Sequence, residues 1–514
     1  MNASQRKELS LRYVNLINRI GKVAIGGSTL RDRMSISGID FWEASKLRES
    51  SSWGSPIFDR IDTLRQNRSQ KLISTSQPSV TWVQIRSLMY WLVNAVLSLK
   101  NRPSRVRADV LFVVFFPETA TPEDSNTLAS RYYGQLIDHV TSMGLSTAVV
   151  FLPTDSRPAS MSRGEARTWR HLKQTLTSVR LTAFVTPRVV FGALRTWLRL
   201  SRSLPDVSAI KSAIANDGEV AAMWSLLVDD FVDSTLGTAA VRASIVGHSL
   251  RNLIDSVTGL QLVIYPFEGQ GWESQLERVC KQKTISTIGY LHTIMKPWDL
   301  RASTALREAP PRCIALHGSH DRAELDLTTT TAVSVEALRY TYLAQRQVRS
   351  QDITNKNQLL IVMGSDCENS RRQYLLLSSE LSRQAMSWSI VVKPHPQCEF
   401  VNSSSMPLRV AMGTLDHAMG DCSAVFLCGT AAPLDSYLFG LPTATLKSES
   451  GYSMSPLEPN DMYFVGDTPT QVVEWLHLAM NRSHTRPDAS YYFDLAPGYQ
   501  KWESVIRKAL SATA

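Results

Sequence analysis

The hydrophobic positions in the first half of the chain form short, continuous apolar runs separated by stretches of helical period. A run at 110–116 is followed by a helical period over 127–143 and by a second run at 146–152. Later runs predict strands at 262–265, 286–291 and 312–316. Continuous apolar runs are typical of parallel strands covered on both faces, and a β-α-β succession implies a layered α/β domain.

The same pattern begins again after a polar stretch between 319 and 356. It predicts strands at 359–363, 388–393, 423–428 and 443–446 and helices at 370–386 and 431–439. Two such halves predict an α/β protein with two Rossmann-like domains facing each other across a cleft, a usual place for a small-molecule site. We expect an N-terminal domain over 1–345, a second domain over 346–485, and C-terminal helices over 486–514 that pack back toward the N-terminal domain.

Length and composition agree with two globular domains. The 514 residues are 43% hydrophobic and 20% charged, and a chain of this length exceeds what one hydrophobic core usually holds. The six cysteines include no CxxC pair and no zinc-like spacing, which predicts a reducing compartment and no structural metal. The polar segment 1–11 has no apolar stretch behind it, so no secretory signal is expected and the predicted location is the cytoplasm.

The net charge of +9 indicates an anionic partner. Two stretches, 81–99 and 189–204, combine apolar residues with arginines at helical spacing. Each is either a domain helix with solvated arginines or a helix that lies on the inner face of the cell membrane, and the pattern does not separate these alternatives. No aromatic-basic sheet motif or zinc knuckle is present, so a nucleic-acid partner is not expected.

A carboxylate follows the strand 262–265 on a turn between a proline and two glycines. The sequence there reads Pro266-Phe267-Glu268-Gly269-Gln270-Gly271-Trp272-Glu273. The strand-end position makes Glu268 the candidate general base for a substrate hydroxyl, and the alternative is a surface turn whose glutamate has no function. Glu273 is the reserve base, or else it stabilises the start of a helix through its charge. Gln270 and Trp272 are candidate sugar-contacting residues on the acceptor side.

A histidine follows the strand 388–393 in the sequence Lys393-Pro394-His395-Pro396. The prolines have no N–H group, so they end the strand and hold the imidazole on a rigid corner at its carboxyl end. After another strand, Gly429 and Thr430 begin a helix whose free N–H groups would face the same crevice. Imidazole, ammonium and helix N–H groups together predict a phosphate site, although a lone histidine often only satisfies a buried carbonyl.

Four further residues are weaker candidates. Ser365 and Asp366 follow the strand 359–363 and either line the donor pocket or serve only the turn. His292 closes an earlier strand as a reserve catalytic residue, and Trp298 follows it; these two either contact the sugar or pack locally. No Asp-x-Asp motif stands at a strand end, and no metal site is predicted.

In their order along the chain, these motifs resemble those of bacterial surface-polysaccharide glycosyltransferases of the GT-B fold. The group with acidic-Gly, His-Pro and Ser/Thr motifs includes bacterial sialyltransferases, polysialyltransferases and Kdo-type transferases. The resemblance spans approximately 260–445 and rests on the Glu268 turn, His292 with Trp298-Asp299-Leu300-Arg301, Glu336-Ala337-Leu338-Arg339-Tyr340, the His395 corner, and Gly429-Thr430.

The resemblance implies a metal-independent, inverting transfer of a CMP-activated nonulosonic acid or Kdo-like sugar to a surface glycan, with no cofactor besides the nucleotide sugar. In that family the acidic residue deprotonates the acceptor hydroxyl, the histidine stabilises the CMP phosphate and the Ser/Thr residue helps hold it. By position these roles fall on Glu268, His395 and Thr430. The implied donor site also includes Lys393, Pro396, Gly429, Ser365 and Asp366. One departure is Phe267, where the family often has a second acidic residue, and it keeps Glu273 as an alternative base.

Three other functions stay open. A CDP-glycerol or CDP-ribitol polymer transferase also releases CMP and also uses a histidine-proline corner. A non-catalytic nucleotide- or glycan-binding subunit of an assembly complex would keep the pocket without turnover, and a nucleotide-sugar epimerase would isomerise its donor without an acceptor. The sugar, the acceptor and the linkage depend on the shape of the pocket, which these patterns do not determine.

Overall fold

The computed structural model describes residues 3–49, 89, 106–116, 130–153, 178–296, 300–325, 327, 330–345, 357–364, 367–384, 388–395, 398, 400, 407–428, 433–447, 455, 457–480 and 487–512. The chain divides into two compact domains. The first comprises Ser4–Thr293, Trp298–Arg339 and Pro497–Ala514, and the second comprises Tyr340–Ala496 with the short segments Met1–Ala3 and Ile294–Pro297.

The regular elements follow in chain order. Helices lie at Ala3–Gly21 (α1), Leu30–Arg33 (α2), Lys46–Glu49 (α3), Ser130–Tyr133 (α4), Leu136–Ser142 (α5), Pro187–Ser203 (α6), Val207–Ile214 (α7), Gly218–Thr235 (α8), Thr238–Ser256 (α9), Gly271–Gln282 (α10), Arg301–Glu308 (α11), Ser319–Glu324 (α12), Thr341–Gln345 (α13), Cys367–Arg383 (α14), Leu415–Gly420 (α15), Pro433–Leu438 (α16), Pro469–Met480 (α17) and Gln500–Ser511 (α18). Short 3₁₀ helices lie at Leu181–Phe184 and Leu338–Tyr340. Strands lie at Ala24–Ile25 (β1), Ser28–Thr29 (β2), Ser35–Ile36 (β3), Ile39–Asp40 (β4), Val106–Arg107 (β5), Val110–Phe116 (β6), Thr147–Pro153 (β7), Ser178–Arg180 (β8), Val257–Thr258 (β9), Leu262–Pro266 (β10), Ser286–Tyr290 (β11), Cys313–Leu316 (β12), Thr331–Ser334 (β13), Gln358–Met363 (β14), Ser389–Lys393 (β15), Leu408–Val410 (β16), Ala424–Cys428 (β17), Thr443–Leu446 (β18) and Tyr463–Gly466 (β19).

Seven of the described strands form a parallel sheet in the first domain, in the order β13-β12-β11-β10-β6-β7-β8. The central strand β10 places Leu262 opposite Val110 of β6 and Ser286 of β11. Every residue of β10 and β11 is buried, as expected for strands that helices cover on both faces. Tyr133 of α4 and Trp502 of α18 are among the buried side chains that pack on this sheet.

Six of the described strands form a second parallel sheet, in the order β16-β15-β14-β17-β18-β19, in the second domain. Leu360 of β14 lies opposite Val391 of β15 and Val425 of β17. The helices α14 and α17 pack on this sheet through Tyr374 and Val472. The predicted fold class, α/β with two Rossmann-like domains, is therefore confirmed by two separate parallel sheets.

Most predicted strands coincide with observed ones to within one residue at each end, namely β6, β7, β10, β11, β12, β14, β15, β17 and β18. The helical period over 127–143 is interrupted, because Gly134 adopts a left-handed conformation with φ of +53° between α4 and α5. The predicted helix 81–99 lies outside the described residues except at position 89.

Within the two parallel sheets, the strands that the sequence pattern missed are β8, β13, β16 and β19. They are the outermost strands of the two sheets, and each includes residues that are not fully buried, whereas the predicted four-residue strands β12 and β18 are buried throughout. The segment 335–340, after β13, is helical only in its second half. The Val335 N–H donates to the carbonyl of Leu316 at 2.9 Å and so prolongs the strand pairing, and the 3₁₀ turn begins only at Leu338.

The C-terminal helix α18 belongs to the first domain. The carboxylate of Glu336 accepts the backbone N–H groups of Lys501 and Trp502 at 2.9 and 3.2 Å, which satisfies two of the free donors at the start of the helix. The indole N–H of Trp502 donates to the Glu336 carbonyl at 3.0 Å. These contacts attach the end of the chain to the sheet that carries Glu268.

Candidate active site

The strand order creates a switch point in the first sheet between β6 and β10. From β6 the chain continues to β7 and β8 on one side, whereas β10, β11, β12 and β13 follow on the other side. Ligands of open parallel sheets bind outside the carboxyl ends of the strands at such a point. Glu268 directly follows β10 and His292 follows β11, so the sheet brings both predicted residues to this edge.

The turn after β10 requires its two glycines. Gly269 has a φ of +74°, and a Cβ there would lie 2.6 Å from the carbonyl carbon of Arg301. A Cβ on Gly271 would lie 2.4 Å from the Cα of Ala44. A side chain at either glycine would overlap these backbone atoms. The turn is therefore packed against neighbouring backbone on both sides, which gives Glu268 a fixed position.

The carboxylate of Glu268 is held at both oxygens. Its Oε1 lies 3.3 Å from Nε2 of His292, and its Oε2 accepts a hydrogen bond from Nε2 of Gln270 at 2.5 Å. The indole N–H of Trp272 donates to Oε1 of Gln270 at 2.8 Å and thereby orients the amide. The Glu268 side chain is 17% exposed, so a ligand has access to a carboxylate that is already oriented.

His292 is a neutral partner of this carboxylate. Burial lowers the pKa of His292 well below its usual value, and the positive charge of Arg339 acts in the same direction. Because a carboxylate is only an acceptor, the tautomer that suits this contact carries its proton on Nε2 and has Nδ1 as an acceptor. Nδ1 is buried and has no hydrogen-bond partner. A buried acceptor without a partner costs about 1–3 kcal/mol, so a ligand hydroxyl that donates there is favoured.

Glu273, the reserve base, points inward. It is only 1% exposed, and its two carboxylate oxygens accept the backbone N–H groups of Glu268 at 3.0 Å and of Gly269 at 2.8 Å. Burial raises the pKa of Glu273 well above its usual value, and the charge of Glu268 adds to the effect. Glu273 therefore shapes the turn, whereas the carboxylate of Glu268 is partly exposed and accessible to a ligand.

Aromatic rings lie next to Trp272 and His292, and of these rings only that of Trp272 was predicted as part of the site. The rings of Phe115 and Trp272 lie 5.8 Å apart at an edge-to-face angle, and Tyr132 lies 6.2 Å from Phe115 and 5.0 Å from the ring of His292. Phe115, Tyr132 and Trp272 are partly exposed. Such rings beside a carboxylate suit a ligand that has both an apolar face and hydroxyl groups. The position of Phe115 near the end of β6 was the available signal.

The second sheet has its own switch point, between β14 and β17. There the N–H of Gly364 donates to the carbonyl of Cys428 at 3.0 Å, and the hydroxyl of Ser370 at the start of α14 bonds to the same carbonyl at 2.9 Å. The predicted site residues Ser365, Asp366, Pro396, Gly429, Thr430 and Trp298 lie outside the described residues. Their roles stay predictions.

His395 and Lys393 end β15 as predicted, but the ammonium group already has a partner. Nζ of Lys393 donates to the carbonyl of Gly413, after β16. His395 is half-buried, and burial lowers its pKa, so the ring is neutral near pH 7. Its carbonyl accepts the N–H of Cys398 at 2.9 Å, which closes the turn after the strand.

A disulfide between Cys367 and Cys398 joins the start of α14 to this turn. The cysteine spacing predicts reduced thiols, and the structure differs at this pair. Because β14 and β15 are neighbours in the sheet, the segments that follow them meet, with a Cα–Cα distance of 5.5 Å. The disulfide borders a cavity of about 450 Å³ lined by Met363, Cys367, Glu368, Arg371, Pro394, Cys398 and Phe400. This volume is in the range of small-molecule sites.

Within the described parts of the chain, no cluster of three or more His, Cys, Asp or Glu side chains is arranged to hold a metal ion. No protein-family model matches the sequence, and no curated protein matches it.

Solved structures match over most of the chain at low similarity. The glycosyltransferase SnogD from Streptomyces nogalater is 12% identical with a TM-score of 0.40, and the match covers 78% of this chain and 100% of that one. UGT89C1 from Arabidopsis thaliana complexed with quercetin is 9% identical with a TM-score of 0.40, over 79% and 100%. UDP-GlcNAc 2-epimerase from Neisseria meningitidis is 9% identical with a TM-score of 0.39, over 78% and 99%. These values identify no family and no activity.

Proposed function

We propose that this protein is a GT-B glycosyltransferase that transfers a CMP-activated nonulosonic acid or Kdo-like sugar to a hydroxyl group of a surface glycan. One observation carries the proposal: the Glu268 carboxylate stands at the switch point of a parallel sheet, open to ligand, with one oxygen facing His292 and the other bonded to Gln270. A general base for an acceptor hydroxyl needs this combination of fixed orientation and access.

In the proposed reaction, Glu268 accepts the proton of the acceptor hydroxyl as the hydroxyl oxygen bonds to the anomeric carbon of the donor. The bond between that carbon and the phosphate oxygen breaks, and its electron pair leaves with CMP. A single displacement of this kind inverts the anomeric configuration. Negative charge develops on the departing phosphate, so fixed donors at that position lower the barrier.

The second domain supplies those donors in this proposal. His395 stands at the end of β15 as a neutral imidazole, and the cavity bordered by its neighbour Pro394 has room for part of a nucleotide. The helix start at Gly429 and Thr430 is proposed to add N–H and hydroxyl donors. The choice of CMP follows from the motif resemblance, and its single phosphate needs fewer donors than a diphosphate would.

Glu268→Gln tests the assignment of the base. The amide keeps the shape of the side chain but accepts no proton, so kcat for CMP release from a CMP-linked sugar in the presence of acceptor falls by about 100-fold or more. Glu474→Gln, at an exposed position on α17, is the matched control and leaves kcat unchanged. A wild-type rate in Glu268→Gln overturns the proposal.

A donor panel separates the proposal from its rivals. Thermal shifts with CMP, CDP, UDP and GDP identify the nucleotide, and turnover assays with CMP-linked sugars, CDP-glycerol and CDP-ribitol identify the donor. Turnover of CDP-glycerol or CDP-ribitol alone indicates a polymer transferase. A donor isomerised without acceptor indicates an epimerase. Nucleotide binding with no release of CMP from any donor indicates a non-catalytic subunit.

A further inference from the structure

One face of α6 carries alternating arginine and apolar side chains. Arg188, Phe191, Arg195, Leu198 and Arg202 follow one another at spacings of three and four residues, which places them in one line along the helix. All five are exposed, Phe191 at 65% and Leu198 at 38%. These five residues are called the α6 stripe below.

The opposite face of α6 already has its packing partners. Val189 and Ala193 are buried in a cluster with Val241 and Ile245 of α9, and the hydroxyl of Ser244 donates to the carbonyl of Ala193 at 3.2 Å. The helix therefore does not need the α6 stripe for its attachment to the domain. Two exposed apolar side chains in line with arginines indicate a surface that binds something else.

The surroundings of the α6 stripe are cationic. The helix contains four arginines and no acidic residue. Its fourth arginine, Arg199, lies beside the α6 stripe and donates to the hydroxyl of Ser37 at 3.2 Å. Arg251 of α9 reaches the same turn, since its Nη2 lies 2.8 Å from the position that a Cβ on Gly38 would take. A negatively charged surface is the complementary partner.

We infer that the α6 stripe docks the first domain on an anionic lipid bilayer. Arginine heads bind lipid phosphates while their stems, together with Phe191 and Leu198, reach the boundary of the acyl chains. A nucleic-acid backbone or an acidic protein surface would satisfy the arginines but would not need the apolar side chains between them. Among the residues that the structure describes, no helix is long and apolar enough to cross a bilayer. This inference goes beyond the proposed transfer reaction and does not depend on it.

The test uses the full chain with vesicles of phosphatidylcholine alone and of phosphatidylcholine mixed with phosphatidylglycerol. We expect co-sedimentation with the anionic vesicles only, weakening as salt is added. Arg195→Glu with Arg202→Glu weakens this binding at least about tenfold. The matched control is Lys281→Glu with Lys508→Glu, which reverses two exposed lysines on α10 and α18 and changes the net charge equally. The control binds as the wild type does.

The apolar part of the α6 stripe has its own test. Phe191→Ser with Leu198→Ser leaves the charge unchanged, and we expect it to weaken vesicle binding as well, with an unchanged circular dichroism spectrum. Wild-type vesicle binding by the arginine variant or by this variant overturns the inference. The inference is also overturned if the wild-type protein does not bind anionic vesicles but binds duplex DNA through the same arginines, because the partner is then a nucleic acid.

Discussion

Nε2 of His292 lies 3.3 Å from Oε1 of Glu268, although the two residues follow different strands of the sheet. Burial lowers the pKa of His292 well below its usual value, so the pair consists of a neutral imidazole that faces a carboxylate. The imidazole orients the carboxylate from one side, and its buried Nδ1 remains as an acceptor. The pair therefore offers a ligand one base and one acceptor for a second hydroxyl.

Two amide substitutions distinguish the roles of the two ring nitrogens of His292. His292→Gln places an amide N–H near the position of Nε2 and keeps a donor that faces Glu268, whereas the shorter His292→Asn reaches only the position of Nδ1. We expect kcat to fall by less than about tenfold in the glutamine variant and by about 100-fold in the asparagine variant, because the carboxylate loses its orientation in the second. Equal losses in kcat would contradict the donor role of Nε2.

Gly269→Ala combines backbone strain with a steric overlap. The φ of +74° at Gly269 disfavours alanine, and the added Cβ would lie 2.6 Å from the Arg301 carbonyl carbon. Gly144→Ala is the matched control, since Gly144 has a φ of +85° and nothing within 4 Å of such a Cβ. We expect urea denaturation to show a loss of about 1–2 kcal/mol in the control and a larger loss for Gly269→Ala, which also lowers kcat. Equal losses would show that the approach to Arg301 is unimportant.

Glu277 makes the stability of the first domain depend on pH. The hydroxyls of Tyr265 and Thr287 donate to its carboxylate at 2.7 and 2.9 Å, yet burial raises the pKa of Glu277 to about 8. Between the unfolded value of 4.5 and about 8, the folded state holds a proton that the unfolded state has released. The free energy of unfolding therefore falls as pH rises through this window.

Glu277→Gln removes this proton and keeps acceptor and donor groups for both hydroxyls. Unfolding free energies from urea titrations at about pH 5 and about pH 8 are expected to differ less in the variant than in the wild type, by up to about 4 kcal/mol. Part of the pH dependence of the unfolding free energy is expected to remain in the variant, because burial also raises the pKa of Glu273. If the unfolding free energy of Glu277→Gln depends on pH as that of the wild type does, the proton is bound by another group.

The Cys367–Cys398 disulfide closes a loop with a sequence separation of 31 residues. Thiol titration of the denatured protein is expected to detect four thiols without reductant, the buried Cys280, Cys313, Cys422 and Cys428, and six after reduction. Cys367→Ser with Cys398→Ser lowers the free energy of unfolding by about 2–4 kcal/mol. Dithiothreitol lowers the melting temperature of the wild type and leaves the double variant unchanged. Six thiols before reduction would rule the disulfide out.

The strands that carry the site were predictable because their signals are local. The apolar runs ending at Tyr265 and Val392 are continuous, and proline or glycine follows each of them closely. The four outermost strands were not predicted, because a strand with one neighbour needs few apolar residues. In β16, for example, Val410 is exposed. Phe115 and Tyr132 were also not predicted as site residues. Each belongs to an ordinary strand or helix pattern, and only the folded structure shows which residues lie next to it.

The sequence by itself determined that the chain forms two α/β domains and that Glu268 stands at a strand end, because apolar period, proline and glycine act on consecutive residues. Only the tertiary structure decided that Glu273 points inward, that His292 reaches Glu268, and that Cys367 meets Cys398. Those contacts depend on the order in which strands join the sheets and on their register, which are settled by packing between residues far apart in the chain.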